Sequence, residues 1–345
     1  MTNGGENNPE IIGPDETADW DDDLQEVMPS AVQAPRRVRV GSEEHGQRLD
    51  KALAHLLPDL SRNLVQQLIE AGAVRVNYLA QIRPSAKVRL GDLIDVRADL
   101  APQARAFEPQ VMDLAVVYED EQVLVIDKAV GQVVHPAPGH WSGTLLNGLL
   151  AHHPGARALP RAGIVHRLDK DTSGLMVVAK TRAVMDALVG AIARREVQRE
   201  YLALVHKPWQ GPVEQSIEQA IGRDPRQRTR MAVVDLSRQA GKPARTDVQL
   251  LLSQGGASLV HCRLHTGRTH QIRVHLRHLG HSLIGDTLYG GRPLAGLERQ
   301  GLHAWRLSLT HPISGEPLQW QRSWPKDMGQ AARALGLLPQ DLPGL

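Results

Sequence analysis

The stretch GIVHRLDKDTSGLMVVAK, from Gly163 to Lys180, constrains the fold of this 345-residue chain more than any other. Gly163-Ile164-Val165 and Leu175-Met176-Val177-Val178-Ala179 are short apolar runs and read as buried strands. The charged hexad between them, His166-Arg167-Leu168-Asp169-Lys170-Asp171, is therefore expected at a rigid sheet edge. There the Asp169 carboxylate, flanked by Arg167 and Lys170, stays ionised because neighbouring positive charge favours the anion. An ionised, positioned carboxylate can act as nucleophile or base, which makes Asp169 the first catalytic candidate. By composition alone such a loop is more often a solvated connection.

The length suits about two domains, each with a sizeable core. Aromatic residues make up only 3 % of the chain, so the core must be built from Leu, Val, Ile and Ala, and few rings are left for binding bases. The single cysteine, Cys262, excludes an intramolecular disulfide and a cysteine-cluster metal site. No apolar leader follows Met1, and no apolar run approaches the length of a membrane span, so a cytoplasmic location is expected and no membrane partner. Residues 1–35 hold nine Asp or Glu and no Lys or Arg; setting them aside raises the formal charge of residues 36–345 from +2 to +11. A basic body under an acidic tail points to a polyanionic partner, of which nucleic acid is the commonest.

Residues 1–36 are thus expected to be an acidic, disordered tail. Leu49, Leu53 and Leu56 begin a helical pattern. A second helix follows, with Ser61 as N-cap, a stripe of Leu64, Val65, Leu68 and Ile69, and Gly72 as its stop. Strands are expected at Val74 to Asn77 and from Lys87-Val88 to Val96, across the turn Gly91-Asp92. With its RLD-x-x-L, LSR, GxVxVN and VxxGD elements in order, the segment 41–98 resembles the small RNA-binding domain named after ribosomal small-subunit protein four. The resemblance implies that Arg48, Lys51 and Arg62 contact phosphates. Tyr78-Leu79-Ala80 stands where many relatives turn on glycine. Residues 99–112 read as a linker, 113–327 as a larger domain and 328–345 as a C-terminal tail.

In the larger domain the HRLD-x-x-T-x-G loop resembles the signature of the pseudouridine synthases that modify ribosomal and transfer RNA. The resemblance makes Asp169 the catalytic aspartate and Arg167 its companion, with Thr172 and Gly174 shaping the turn. Tyr201, on the strand pattern Tyr201-Leu202-Ala203-Leu204-Val205, matches the family tyrosine that stacks on the target uracil and is implicated in proton removal. Taken alone, a lone strand tyrosine is more often core. In LHTGRTHQIRVHLRHLG, Leu264 to Gly280, residues Ile272, His275, Leu276 and Leu279 share one helical face, Thr269 can cap the helix and Gly280 stops it. Arg273 lies off that stripe and matches the arginine that pairs with the catalytic aspartate. Arg223, Arg226, Arg228, Arg230, Lys242 and Arg268 suit phosphate contacts.

Three further departures mark the larger domain: Ala129 for the proline after Lys128, Arg199 for a lysine, and Ser282 for a proline before the GD-x-x-YG turn at Gly285 to Gly290. The histidines His270, His275, His278 and His281 have no local carboxylate or thiolate partner, and no metal is expected. HRLDKD also looks like a kinase catalytic loop, but Leu and Asp are inverted and no glycine-rich phosphate loop or DFG triplet is present.

The resemblance therefore implies an α+β protein. A small helix-rich N-terminal RNA-binding domain precedes a larger, mixed but mainly antiparallel β-sheet synthase domain with flanking helices. It implies a monomeric isomerase that needs no cofactor because the reaction is redox-neutral. The segment His135-Pro136 to Asn147 most resembles the subgroup acting on D-type large-subunit sites. The expected partner is 23S rRNA or the precursor large ribosomal subunit, in particular the helix 69 loop. The alternatives are other rRNA or tRNA uridines, or a non-catalytic RNA-binding assembly factor. The anomeric carbon is the favoured point of attack by Asp169, although the sequence does not distinguish it from a carbon of the base.

Overall fold

The computed structural model describes residues 35–58, 60, 62–97, 106–137, 139–227 and 229–338. Residues 1–34 of the expected N-terminal tail, the expected cap Ser61, the expected phosphate contact Arg228, the first half of the expected linker (99–105) and residues 339–345 of the expected C-terminal tail lie outside them. The described chain forms two compact units, one within Val27–Arg182 and one within Ala183–Leu345. No helix among the described residues is long and apolar enough to cross a membrane.

The first unit begins with β1 (Arg36–Arg39), α1 (Leu49–Leu56), α2 (Arg62–Glu70), β2 (Val74–Val76), β3 (Leu79–Ala80) and β4 (Leu93–Val96). The strands pair antiparallel in the order β1-β4-β2-β3. Leu49, Leu53, Leu68, Ile69, Val74 and Ile94 are completely buried in a core confined to residues 40–96, so the module has a hydrophobic centre of its own. β1 was not expected, since residue 36 closed the tail, and β4 is shorter than the expected run from Lys87. The Tyr78 departure is accommodated without glycine. Asn77 and Tyr78 both take left-handed backbone, φ 50° and 69°, as the tightest hairpin turns require. The Asn77 carboxamide then accepts from Leu93 N–H and donates to Asp92, each at 2.9 Å.

The linker needs correcting in its second half. Ala106 is fully buried, and the buried Asn147 side chain donates to the carbonyls of Ala106 (3.1 Å) and Glu108 (2.8 Å), so this stretch is fastened to the body. The same Asn147 forms a reciprocal capping box with Thr144 at the start of α3 (Leu145–His152). Before α3 come β5 (Val116–Glu119) and β6 (Val123–Lys128), and after it β7 (Ser173–Ala179), paired antiparallel in the order β5-β6-β7. Every residue of β7 is buried, which explains why its sequence reads as a continuous apolar run and not as an alternation.

The second unit holds α4 (Arg182–Ala193), β8 (Gln198–His206), β9 (Glu214–Ile217), β10 (Ile221–Arg223), β11 (Met231–Val233), β12 (Thr246–Gln254), β13 (Ala257–Leu264), α5 (Gln271–His278), β14 (Leu302–Thr310), β15 (Pro317–Gln321) and α6 (Lys326–Ala334). Antiparallel pairing runs β15-β14-β8-β13-β12-β9, and β10 with β11 forms a separate hairpin. The C-terminal tail expected at 328–345 is corrected: Met328, Ala331, Ala332 and Leu337 are completely buried against Leu202, Leu204 and Leu259. The short alanines of α6 let it lie close to the sheet, and its polar face hid this in the sequence. The architecture is α+β with mainly antiparallel sheets and helices beside them.

Candidate active site

Asp169 sits on a loop whose two ends are held by buried polar groups. At the start, a carbon added to Gly163 would collide with the Ala179 carbonyl, and its φ of +83° favours glycine, so the chain can enter the loop only at this residue type. His166 is 2 % exposed and its Nε2 accepts from Val177 N–H at 3.0 Å, tying the loop to β7. Leu168 is also buried, whereas Arg167 and Asp169 between and beyond these residues are half-buried. The turn closes with Thr172 N–H donating to the Asp169 carbonyl at 3.1 Å.

Beyond Asp169, the Lys170 carbonyl accepts from Gly131 N–H (2.9 Å) and from the ammonium of Lys128 (3.0 Å). Lys128 is 1 % exposed and also donates to the carbonyls of Ala129 (2.8 Å) and Gln132 (3.0 Å). Three donors meet three backbone acceptors at the end of β6, which accounts for the buried cation at the corner where the family proline is missing. Behind the loop, the buried His135 imidazole has its pKa pushed down to about 3, by burial first and then by the guanidinium groups of Arg167 and Arg161. It is therefore a neutral ring, and another positive charge is resisted there.

In the second unit Tyr201 lies in the middle of β8, 4 % exposed, opposite Cys262 of β13 and Ala304 of β14. Arg199 is buried two residues earlier and packs its Nη1 where a side chain on Gly267 would be, so the charge-preserving departure from lysine braces the loop before α5. That loop is organised by Gln271, whose Oε1 accepts from Thr266 Oγ1 (2.7 Å) and Arg268 N–H (3.0 Å) and whose Nε2 donates to Thr246 Oγ1 (2.8 Å) and the Arg245 carbonyl (2.9 Å). Thr269 is not the cap of α5. The N-cap of the helix is His270, in left-handed backbone, φ 57°, without a side-chain cap, and Gln271 at the first helical position ties the preceding loop to the helix start.

Arg273 is 6 % exposed and forms a bidentate pair with Asp286, Nε to Oδ2 at 2.8 Å and Nη2 to Oδ1 at 2.9 Å. Its guanidinium also lies 4.8 Å from the centre of the Tyr289 ring. The Tyr289 hydroxyl accepts from Met231 N–H (2.9 Å) and is hydrogen-bonded to His270 Nδ1 (2.8 Å), joining β11 to α5. The sequence by itself assigns no site role to Asp286, Tyr289, Lys128 or His135. The signal for the first two was present, since both belong to the GD-x-x-YG turn. At the departure Ser282, the hydroxyl donates to the Tyr289 carbonyl at 2.8 Å and holds this turn in place of a proline ring.

The remaining expected residues fall in two groups. Arg223, Arg226 and Arg230 lie on or beside the β10–β11 hairpin, to which Lys242 is bridged through Ile221, and Arg268 Nε is turned onto the Pro243 carbonyl at 3.1 Å. Arg48, Lys51 and Arg62 belong to the N-terminal module. Of the four histidines, His275 bonds Thr246 Oγ1 (2.9 Å) and the Gln219 carbonyl (3.0 Å), His270 bonds Tyr289, and His281 stacks on Trp209 at 4.5 Å between centroids.

A family model described as RNA pseudouridylate synthase matches residues 122–278, and one described as S4 domain matches residues 47–94. A protein of Nitrosomonas europaea named ribosomal large subunit pseudouridine synthase D is 46 % identical over 304 residues, 85 % of this chain and 86 % of its own. Its namesake in Escherichia coli K12 is 43 % identical over 304 residues, 84 % and 90 % of the two chains. The chain belongs to the RNA pseudouridylate synthase family. A solved structure, human RNA pseudouridylate synthase domain containing 4, has the same fold at a TM-score of 0.51 and 24 % identity, covering 66 % of this chain and 95 % of its own. The synthase is thus an isomerase with an N-terminal RNA-binding S4 domain, and the kinase and non-catalytic readings fall away.

Proposed function

We propose that this synthase isomerises uridines of large-subunit rRNA, with the loop of helix 69 in 23S rRNA as its target and Asp169 as its nucleophile. The reaction breaks the bond from N1 to the sugar carbon C1′ and forms one from C5 to C1′. N1 gains a hydrogen and C5 loses one, so the atoms of uridine are conserved and no oxidant or reductant enters. The uridine must first leave its stack, which costs a few kcal/mol in a duplex and least in a loop.

The observation that carries this reading is the fastening of the backbone on both sides of Asp169, by His166 to β7 and by Lys128 and Gly131 at Lys170. Such anchoring preorganises a carboxylate for attack, because little freedom remains to be lost when the substrate arrives. In this reading Asp169 adds to C1′ or to the ring, Arg273 keeps it ionised, Arg167 fills the space of the flipped base, and Tyr201 packs on the uracil and assists removal of the C5 proton. Arg273 suits that role because Asp286 fixes its guanidinium. The names of the Nitrosomonas and Escherichia relatives and the His135 to Asn147 segment both support the large subunit as substrate.

Mapping pseudouridine in total RNA from a deletion strain, and again after complementation, tests the target. Loss confined to the helix 69 loop, restored by the wild-type gene, is expected. Loss at other rRNA or tRNA sites with helix 69 intact would replace the target, and an unchanged map would refute the reading.

A further inference from the structure

α1 and α2 of the N-terminal module meet over one carboxylate. Asp50 is completely buried. Arg48 donates Nε to Oδ1 (2.9 Å) and Nη2 to Oδ2 (3.2 Å). Arg62 donates Nε and Nη2 to Oδ2 (3.3 and 2.9 Å), and Gln66 Nε2 also donates to Oδ2 at 2.7 Å. Both arginine Nη2 atoms share one oxygen, so the two guanidinium groups lie side by side, with each Nη1 left outside these bonds. The side chains of Arg48 and Arg62 remain 46 % and 54 % exposed.

Neutralising one carboxylate needs one cation, and this one has two. The surplus is a single positive charge spread over two half-exposed planar forks. Lys51 on α1 and Lys87, whose backbone bridges that of Arg48, are exposed beside it and extend the positive surface. An arginine brought to a phosphate from solution loses rotamer freedom, and one already held at its base loses less. A bidentate, planar, preset pair is the geometry that phosphate oxygens accept best.

We propose that Asp50 is a positioning residue for RNA, holding Arg48 and Arg62 as one rigid fork that grips a phosphate diester of the substrate backbone. The proposal rests on the reading that the module meets rRNA. It also reverses the expectation from charge counting: an aspartate beneath an RNA-binding surface should repel RNA, yet here its loss weakens binding because the fork loosens.

The test uses the full-length protein and transcribed 23S rRNA, with affinity measured against salt and folding followed by circular dichroism. Asp50→Asn, which adds one unit of positive charge, is expected to bind about five- to tenfold more weakly near 0.1 M salt and to flatten the plot of log affinity against log salt by about one phosphate contact. Arg62→Lys, which keeps the charge and loses the fork, is expected to weaken binding similarly, and it decides the matter if Asp50→Asn does not fold. Wild-type or tighter binding by the folded variant would overturn the proposal. Lys51→Glu combined with Lys87→Glu separates the underlying reading: if this reversal leaves affinity unchanged, the module does not meet the RNA. If it weakens binding while Asp50→Asn and Arg62→Lys do not, only the fork is wrong.

Discussion

Each compact unit pairs arginine with aspartate, and the two pairs are built to different depths. In the N-terminal module the carboxylate of Asp50 is buried while Arg48 and Arg62 stay about half exposed. Beside α5, Arg273 and Asp286 are both buried, their side chains 7 % and 2 % exposed. A guanidinium anchored at its base keeps N–H groups for a ligand and pays little desolvation. One wholly buried is fixed in orientation, and removing a carboxylate beside it leaves a buried charge less compensated. The depth of the cation, more than the presence of an ion pair, separates an arginine that can meet RNA from solution from one held inside the protein.

The largest effect should come from stranding the deeper charge. Asp286→Ala is expected to cost about 3–5 kcal/mol of stability, and activity with it, because Arg273 keeps its burial and loses its bidentate partner. Asp50→Ala should cost about 1–3 kcal/mol, since water can reach the two arginines it releases. Urea unfolding of both variants measures this, and a greater loss for Asp50→Ala would break the comparison.

Lys128 sharpens it, being a buried cation whose ammonium donates to three backbone carbonyls. Lys128→Met keeps the stem and removes three hydrogen bonds, so a stability loss of about 1–3 kcal/mol is expected. Turnover of the folded variant should fall about tenfold or more, because the carbonyl next to Asp169 is no longer tethered. Unchanged turnover would show that the Gly131 bond suffices to hold the loop.

A smaller effect is expected at His135, where the structure excludes a cation. Its folded pKa is depressed to about 3 from the ordinary 6.5, so only the unfolded chain takes up the proton as pH falls below about 6.5. Stability is therefore full above that pH and declines toward pH 3, with a slope that approaches about 1.4 kcal/mol per pH unit once the pH is well below 6.5. Melting temperatures between pH 7.5 and 5.5 should fall less for His135→Gln than for the parent protein. Parallel falls would mean the imidazole is not shielded in solution.

The parts of this molecule that were legible in sequence share a local signature. The buried β7 shows as an unbroken apolar run, the helices of the N-terminal module as leucine spacing, and the Asp169 loop as charge between such runs. The missed parts depend on partners far apart in the chain. Arg273 and Asp286 are thirteen residues apart, and Lys128 reaches a carbonyl forty-two residues on; neither spacing is a helix or strand period. Thr269 has the residue type of a helix cap, but the left-handed residue His270 takes the N-cap position and leaves it without a side-chain cap. α6 looked like a tail because its buried face is largely alanine, a residue too small to announce a core.

The central claim is that Asp169 is the nucleophile, and Asp171, two residues away on the same loop, is its control. Tritium release from transcribed 23S rRNA labelled at uridine C5 tests it, with Asp169→Asn and Asp171→Asn compared at equal RNA occupancy. A neutral amide is a poor nucleophile but nearly isosteric, so Asp169→Asn should fold, bind RNA as the parent does and release no tritium above background, while Asp171→Asn keeps substantial turnover. Wild-type release by Asp169→Asn together with loss in Asp171→Asn would contradict the account.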